Sequence, residues 1–116
     1  MEISFTTTKL GKRCNSLKEA EQAFGKKIAY KLILRLGDLE AVECLEDLYK
    51  LPHLRTVLRC HLLSPKNLGK YAVGITERWR IIFKPAHNPI PLNSDGGFDQ
   101  KRITKIEIIS VEDYHG

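Results

Sequence analysis

Between residues 70 and 84 the chain reads KYAVGITERWRIIFK, two apolar-alternating runs joined by Glu77-Arg78. Tyr71, Val73 and Ile75 alternate with Ala72, Gly74 and Thr76; Trp79, Ile81 and Phe83 alternate with Arg80, Ile82 and Lys84. A period of two places each set on one face of a strand. So short a connection makes the two strands antiparallel neighbours, although it lacks the favoured Asn-Gly turn chemistry. The rest of the chain has to cover the apolar face of this hairpin.

The preceding sequence supplies a cover. Residues 2–6, EISFT, alternate outward Glu2 and Ser4 with inward Ile3 and Phe5, and predict a short first strand. Ser16-Leu17-Lys18-Glu19 has the form of a capping box, so a helix is expected from Leu17. Leu17, Ala20, Phe24, Ile28, Leu32 and Leu36 step by three or four along it, with Gly37 as its expected end. A second helix is expected over residues 39–50, with Leu39, Val42, Leu45 and Leu48 on one side and Pro52 preventing its continuation. Two helices so closely joined should form an antiparallel hairpin.

Beyond the β-hairpin, residues 85–101 hold three prolines, two glycines and no periodicity, and predict a long surface loop, functional or mobile. The last strand, residues 103–111, changes apolar phase between Ile106/Ile108 and Ile109/Val111. Either both faces are covered or a bulge interrupts it. The expected architecture is α+β: an N-terminal strand and a two-helix antiparallel hairpin packed on one face of a small antiparallel sheet, in one domain spanning residues 1–116.

Composition narrows the function classes. No stretch approaches the roughly 20 apolar residues of a membrane span, and MEISFTTTKLGKRC lacks the apolar core of a signal peptide, so a cytoplasmic protein is expected. Cys14, Cys44 and Cys60 are widely spaced and predict reduced structural thiols, with no metal site. The formal charge of +5 favours a polyanionic partner.

Several side chains are candidates for chemistry. The chain closes on VEDYHG, where Asp113, Tyr114 and His115 follow the last strand. Imidazoles exchange protons near neutral pH, so His115 and His61 suit acid or base work. Each also has a bland reading, His115 as part of a frayed polar tail and His61 as a hydrogen-bonded structural residue. Arg80 points away from the core if Trp79, Ile81 and Phe83 face it, and a guanidinium there suits a phosphate. Lys66, Lys70, Arg78 and Lys84 lie on or beside the hairpin, as RNA contacts or as an ordinary solvated face. His53 and His87 are given no role.

These residues carry a resemblance. LEDLYKLP, RCHLL, GKYAVGITERWRIIF, the loop KPAHNPIP with its DGG, and the terminal IEIISVEDYHG follow one another as in the RelE/ParE toxin superfamily, most closely its HigB-like (killer protein) branch. The resemblance implies the toxin of a type II toxin–antitoxin pair: a ribosome-dependent mRNA endonuclease, needing neither metal nor cofactor, in which a ribose 2′-OH attacks the adjacent phosphate. By motif, His61 and His115 match catalytic histidines, Asp113 and Tyr114 the acidic and aromatic members of the terminal triad, and Arg80 the arginine after the hairpin tryptophan. It further implies a HigA-like, DNA-binding antitoxin as partner, besides the ribosome and mRNA. Two stretches depart from the pattern. Residues 61–69, HLLSPKNLG, have one basic residue fewer than the family's usual stretch and contain Pro65, and LPHLRTVLRCH is longer than the usual join. Two other readings share the resemblance: a non-catalytic, gyrase-binding ParE-like toxin, and an inactive member that only binds its antitoxin.

Overall fold

A computed structural model describes residues 1–63 and 69–114. Strand β1 covers Glu2–Phe5, and the chain turns at once into helix α1, Thr8–Asn15, where Thr7 accepts from the Leu10 N–H at 3.1 Å. Ser16 then caps helix α2, Leu17–Phe24, accepting from the Glu19 N–H at 3.3 Å as the capping box predicts. α1 is not legible as an amphipathic stripe, because Leu10 and Cys14 are the only sizeable apolar residues in TKLGKRCN.

The long helix expected from Leu17 is two helices. Gly25, at φ 85° and ψ 160°, ends α2 and opens α3, Lys26–Ala41. The apolar stripe continues through the break, with Ala20, Leu32 and Leu36 buried and Phe24 and Ile28 packed against the core. Gly37, the expected terminus, lies within α3, which instead ends where the Met1 amino group donates to the carbonyls of Leu39, Glu40 and Val42.

The second expected helix is likewise divided. Asp47 accepts from the N–H groups of Glu43 and Cys44 and opens a single turn, α4, Asp47–Lys50. Leu39, Val42, Leu45 and Leu48 are nevertheless all buried. Pro52 does not merely stop a helix. It occupies the first turn of another, α5, Pro52–Leu58, where its missing N–H costs nothing.

Strands β2 (His61–Leu62), β3 (Tyr71–Gly74), β4 (Trp79–Pro85) and β5 (Lys105–Asp113) complete a sheet of order β1-β5-β4-β3-β2. β2 to β5 are antiparallel neighbours, but β1 runs parallel to β5. The sheet is therefore mixed, not wholly antiparallel: β1 leads into helices, so no hairpin turn dictates its direction. The β3–β4 connection is also longer than two residues, since Ile75 and Thr76 both donate to the Trp79 carbonyl while Gly74 pairs with Arg80.

The phase change in the last strand is a bulge. Ile82 pairs with Ser110 and Phe83 with Ile108, leaving Ile109 as the extra residue. The loop after β4 packs closely: Leu92 bridges Phe98, the Thr104 N–H donates to His87 Nε2 at 2.9 Å, and the Gln100 amide reaches the Tyr71 hydroxyl at 3.3 Å. One hydrophobic core joins Leu32, Leu36 and Leu39 to Leu45, Leu48, Leu54 and Leu58 and to Tyr71, Val73, Ile81, Phe83, Ile106 and Ile108 of the sheet. The helices thus cover one face.

Candidate active site on the open face of the sheet

Strand alternation defines the other face. Tyr71 and Val73, like Ile81 and Phe83, enter the core, so Ala72 and Gly74 on β3 and Arg80, Ile82 and Lys84 on β4 turn the opposite way. Ile82 is buried yet lies outside the main core cluster, as this requires. His61 stands opposite Ala72, Ala72 opposite Ile82, and Ile82 opposite Ser110, which makes a continuous row from one edge strand inward. Next to it, Gly74, Arg80 and Glu112 form a second row.

His61 is exposed, and its Nδ1 lies 3.0 Å from the Arg59 carbonyl. A carbonyl only accepts, so Nδ1 carries the proton of this bond and Nε2 is the nitrogen left to exchange one. Two strand spacings, about 10 Å, separate the His61 and Ile82 backbones. The intervening strand positions are the small, buried Ala72 and Gly74, and the Arg59 guanidinium lies beside Gly74.

Arg80 is held by its own turn. Its Nη1 donates to the carbonyls of Thr76, Glu77 and Trp79 at 2.7, 3.0 and 3.1 Å. The guanidinium carbon lies 5.4 Å from the centre of the Tyr114 ring, a cation–π distance. The three acceptors are neutral carbonyls that fix its position, and among the described residues no ion pair to Arg80 forms, with Glu112 opposite it in the sheet. Tyr114 is half exposed, and its N–H donates to the Arg78 carbonyl at 2.6 Å.

Asp113 sits differently. Its register partner is Trp79, on the helix-covered side, and its carboxylate accepts from Arg78 Nη2 at 3.0 Å. Arg78 also borders a hollow lined by Lys27, Lys31, Thr76 and Glu77. The structure thus brings Arg78, Arg80, Asp113 and Tyr114 to one end of the hairpin and puts His61 on the far edge of Arg80's face. Lys84 is exposed opposite Glu107, and the Lys70 carbonyl accepts from the Leu63 N–H at 2.9 Å. His115 and Lys66 lie outside the described residues, as does most of the turn-rich patch at 64–69. Among the described residues no group of His, Cys, Asp and Glu could hold a metal ion, and no helix is long and apolar enough to cross a membrane.

Sequence reasoning passed over Arg59. It caps α5 in the left-handed region, and its guanidinium Nη2 lies 3.9 Å from where a Cβ on Gly74 would be. Its place directly before Cys60-His61 was the available signal.

No family model and no curated protein matches the chain. Among solved structures it is similar to the YoeB/ParE toxin from Agrobacterium tumefaciens, at 14% identity and a TM-score of 0.49, with 97% of this chain and 98% of that chain covered.

Proposed function

We propose that this protein is the toxin of a type II toxin–antitoxin pair and that it cuts mRNA on the translating ribosome. The observation that carries the reading is the sheet face turned away from the helices, where His61, the turn-fixed guanidinium of Arg80 and the half-exposed Tyr114 ring flank the small, buried Ala72 and Gly74. The order of the sequence motifs, ending in Asp113-Tyr114-His115, supports it.

In this mechanism a 2′-OH oxygen attacks the adjacent phosphorus, the bond from phosphorus to the 5′-oxygen breaks, and a cyclic phosphate and a 5′-OH result. His115 or Asp113 takes the 2′-OH proton and His61 delivers one through Nε2 to the leaving oxygen, or the two exchange roles. Arg80 stabilises charge developing on the phosphorane from a position its turn has already fixed. Tyr114 stacks on a base. Lys66, Lys70, Arg78 and Lys84 are the proposed RNA contacts, and a HigA-like, DNA-binding antitoxin is the proposed partner. The ion pair to Arg78 gives Asp113 a second duty, anchoring the chain end to the hairpin.

Primer extension on mRNA from translating ribosomes tests this. Codon-phased cuts are expected with the wild type and not with His61→Gln or His115→Gln. Undiminished cutting by the double variant would remove both histidines from the mechanism. No cuts, together with inhibited gyrase supercoiling, would select a ParE-like binding activity instead.

A further inference from the structure

Arg59 is the one residue other than glycine with positive φ among the described residues, at φ 47° and ψ 48°. Left-handed backbone is disfavoured for a residue with a Cβ, and glycine would end α5 there without strain. An arginine held in it points to a use for its side chain. The conformation does two things at once. It turns the Arg59 carbonyl to His61 Nδ1, 3.0 Å away, and it brings the Arg59 guanidinium beside Gly74, which stands opposite Arg80.

The two arginines differ in what they have left to give. Arg80 Nη1 is committed to three carbonyls of the turn. Arg59 is exposed, and no hydrogen bond or ion pair to a described residue holds its guanidinium. Among the described residues its donors are unspent, and it is covalently two residues from the proposed proton-transfer imidazole. We infer that Arg59 makes the direct guanidinium contact to the RNA phosphate next to the cut, with Arg80 contributing charge from behind. The inference rests on the nuclease reading and adds a substrate-binding residue to it. Gly74 belongs to the same arrangement, because a Cβ there would sit in van der Waals contact with the Leu58 carbonyl at 3.6 Å and with the Arg59 guanidinium at 3.9 Å.

The test compares wild type, Arg59→Gly and Arg59→Lys. Glycine adopts the same backbone and keeps the carbonyl at residue 59 in place for His61, so it removes the guanidinium alone. Single-turnover cleavage on translating ribosomes should fall about tenfold or more in Arg59→Gly, the loss of a charge-assisted hydrogen bond. Arg59→Lys should recover only part, having charge but no planar fork. In parallel, binding of an uncleavable 2′-O-methyl RNA oligonucleotide is followed against salt. Removing one phosphate contact should lower the slope of log K against log salt by about 0.7. Cleavage by Arg59→Gly at the wild-type rate would overturn the inference and leave the nuclease reading standing. Lost cleavage with an unchanged salt slope would make Arg59 a structural residue and overturn it too. A wild type that cuts nothing would remove both.

Discussion

The guanidinium of Arg80 lies 5.4 Å from the centre of the Tyr114 ring. Arg80 belongs to the strand after the hairpin turn and Tyr114 to the chain's last described residues, so the contact fastens a terminal segment to a turn locked by the same arginine. A tail fixed at both Tyr114 and Asp113 is held by the sheet and does not fray at these residues.

Replacing Tyr114 separates ring from hydroxyl. Tyr114→Ala should cost about 0.5–1 kcal/mol, the value of an exposed cation–π pair. Tyr114→Phe should retain most of that stability, as read by urea denaturation. If the ring also stacks on a base, cleavage should fall in the alanine variant and largely survive in the phenylalanine one. Equal loss in both would assign the work to the hydroxyl.

Arg80→Ala removes three donor contacts to turn carbonyls, two of them part-buried, and should destabilise the fold by about 1–2 kcal/mol. Because the acceptors are neutral, the loss should be nearly the same at low and high salt. Urea titrations at both ionic strengths would show it, and a strongly salt-dependent loss would mean that a carboxylate is the main partner.

The Arg78–Asp113 pair should behave in the opposite way. Its side chains are 60% and 34% exposed, so solvent screens it heavily. Arg78→Ala should cost under about 1 kcal/mol at low salt, and the difference should nearly vanish near 1 M salt, where the screening length is about 3 Å. The Tyr114 N–H bond to the residue 78 carbonyl is unaffected by the substitution and should hold the tail in register.

Two buried thiols set an alkaline limit on stability. Burial pushes Cys14 up from 9.0 to about 11 and Cys60 to about 12, and it raises Tyr49 and Tyr71 as well. A group whose folded pKa is raised contributes fully below its unfolded pKa and loses that contribution as pH climbs toward the folded value. The contribution of these groups should therefore be full up to about pH 8.5 and decline between about pH 9 and 12. Cys60→Ala should flatten part of that decline in urea midpoints measured against pH, even while its lost packing lowers the whole curve.

How much of this was legible depended on which force left a local mark. The hairpin and the Ser16 cap follow from a few neighbouring residues and sequence patterning finds them, whereas the phase change near Ile109 left a bulge and a doubly covered strand as alternatives. The parallel pairing of β1 with β5 joins the two ends of the chain, and no local pattern records it. Arg80's three carbonyl partners were hidden for a related reason. Alternation tells which face a side chain takes, but not which of the turn's carbonyls will curl toward it. The helix boundaries failed on glycine, because the apolar stripe from Ala20 to Leu36 runs unbroken past Gly25, and periodicity cannot see a change of backbone direction that preserves the buried face.

That last point yields two substitutions of opposite sign. Gly25 and Gly37 are both exposed, and an added Cβ would meet nothing within 4 Å at either, so space decides neither case. Gly25 sits at φ 85° and ψ 160°, a region that residues with a Cβ avoid, and Gly25→Ala should destabilise by about 1–3 kcal/mol. Gly37 is inside α3, where alanine loses less entropy on folding, and Gly37→Ala should stabilise by about 0.5–1 kcal/mol. Urea midpoints interpreted with a shared m-value would show the difference. If instead Gly25→Ala stabilised and Gly37→Ala destabilised, the division between α2 and α3 at Gly25 would be wrong, and the single long helix ending at Gly37 would be restored.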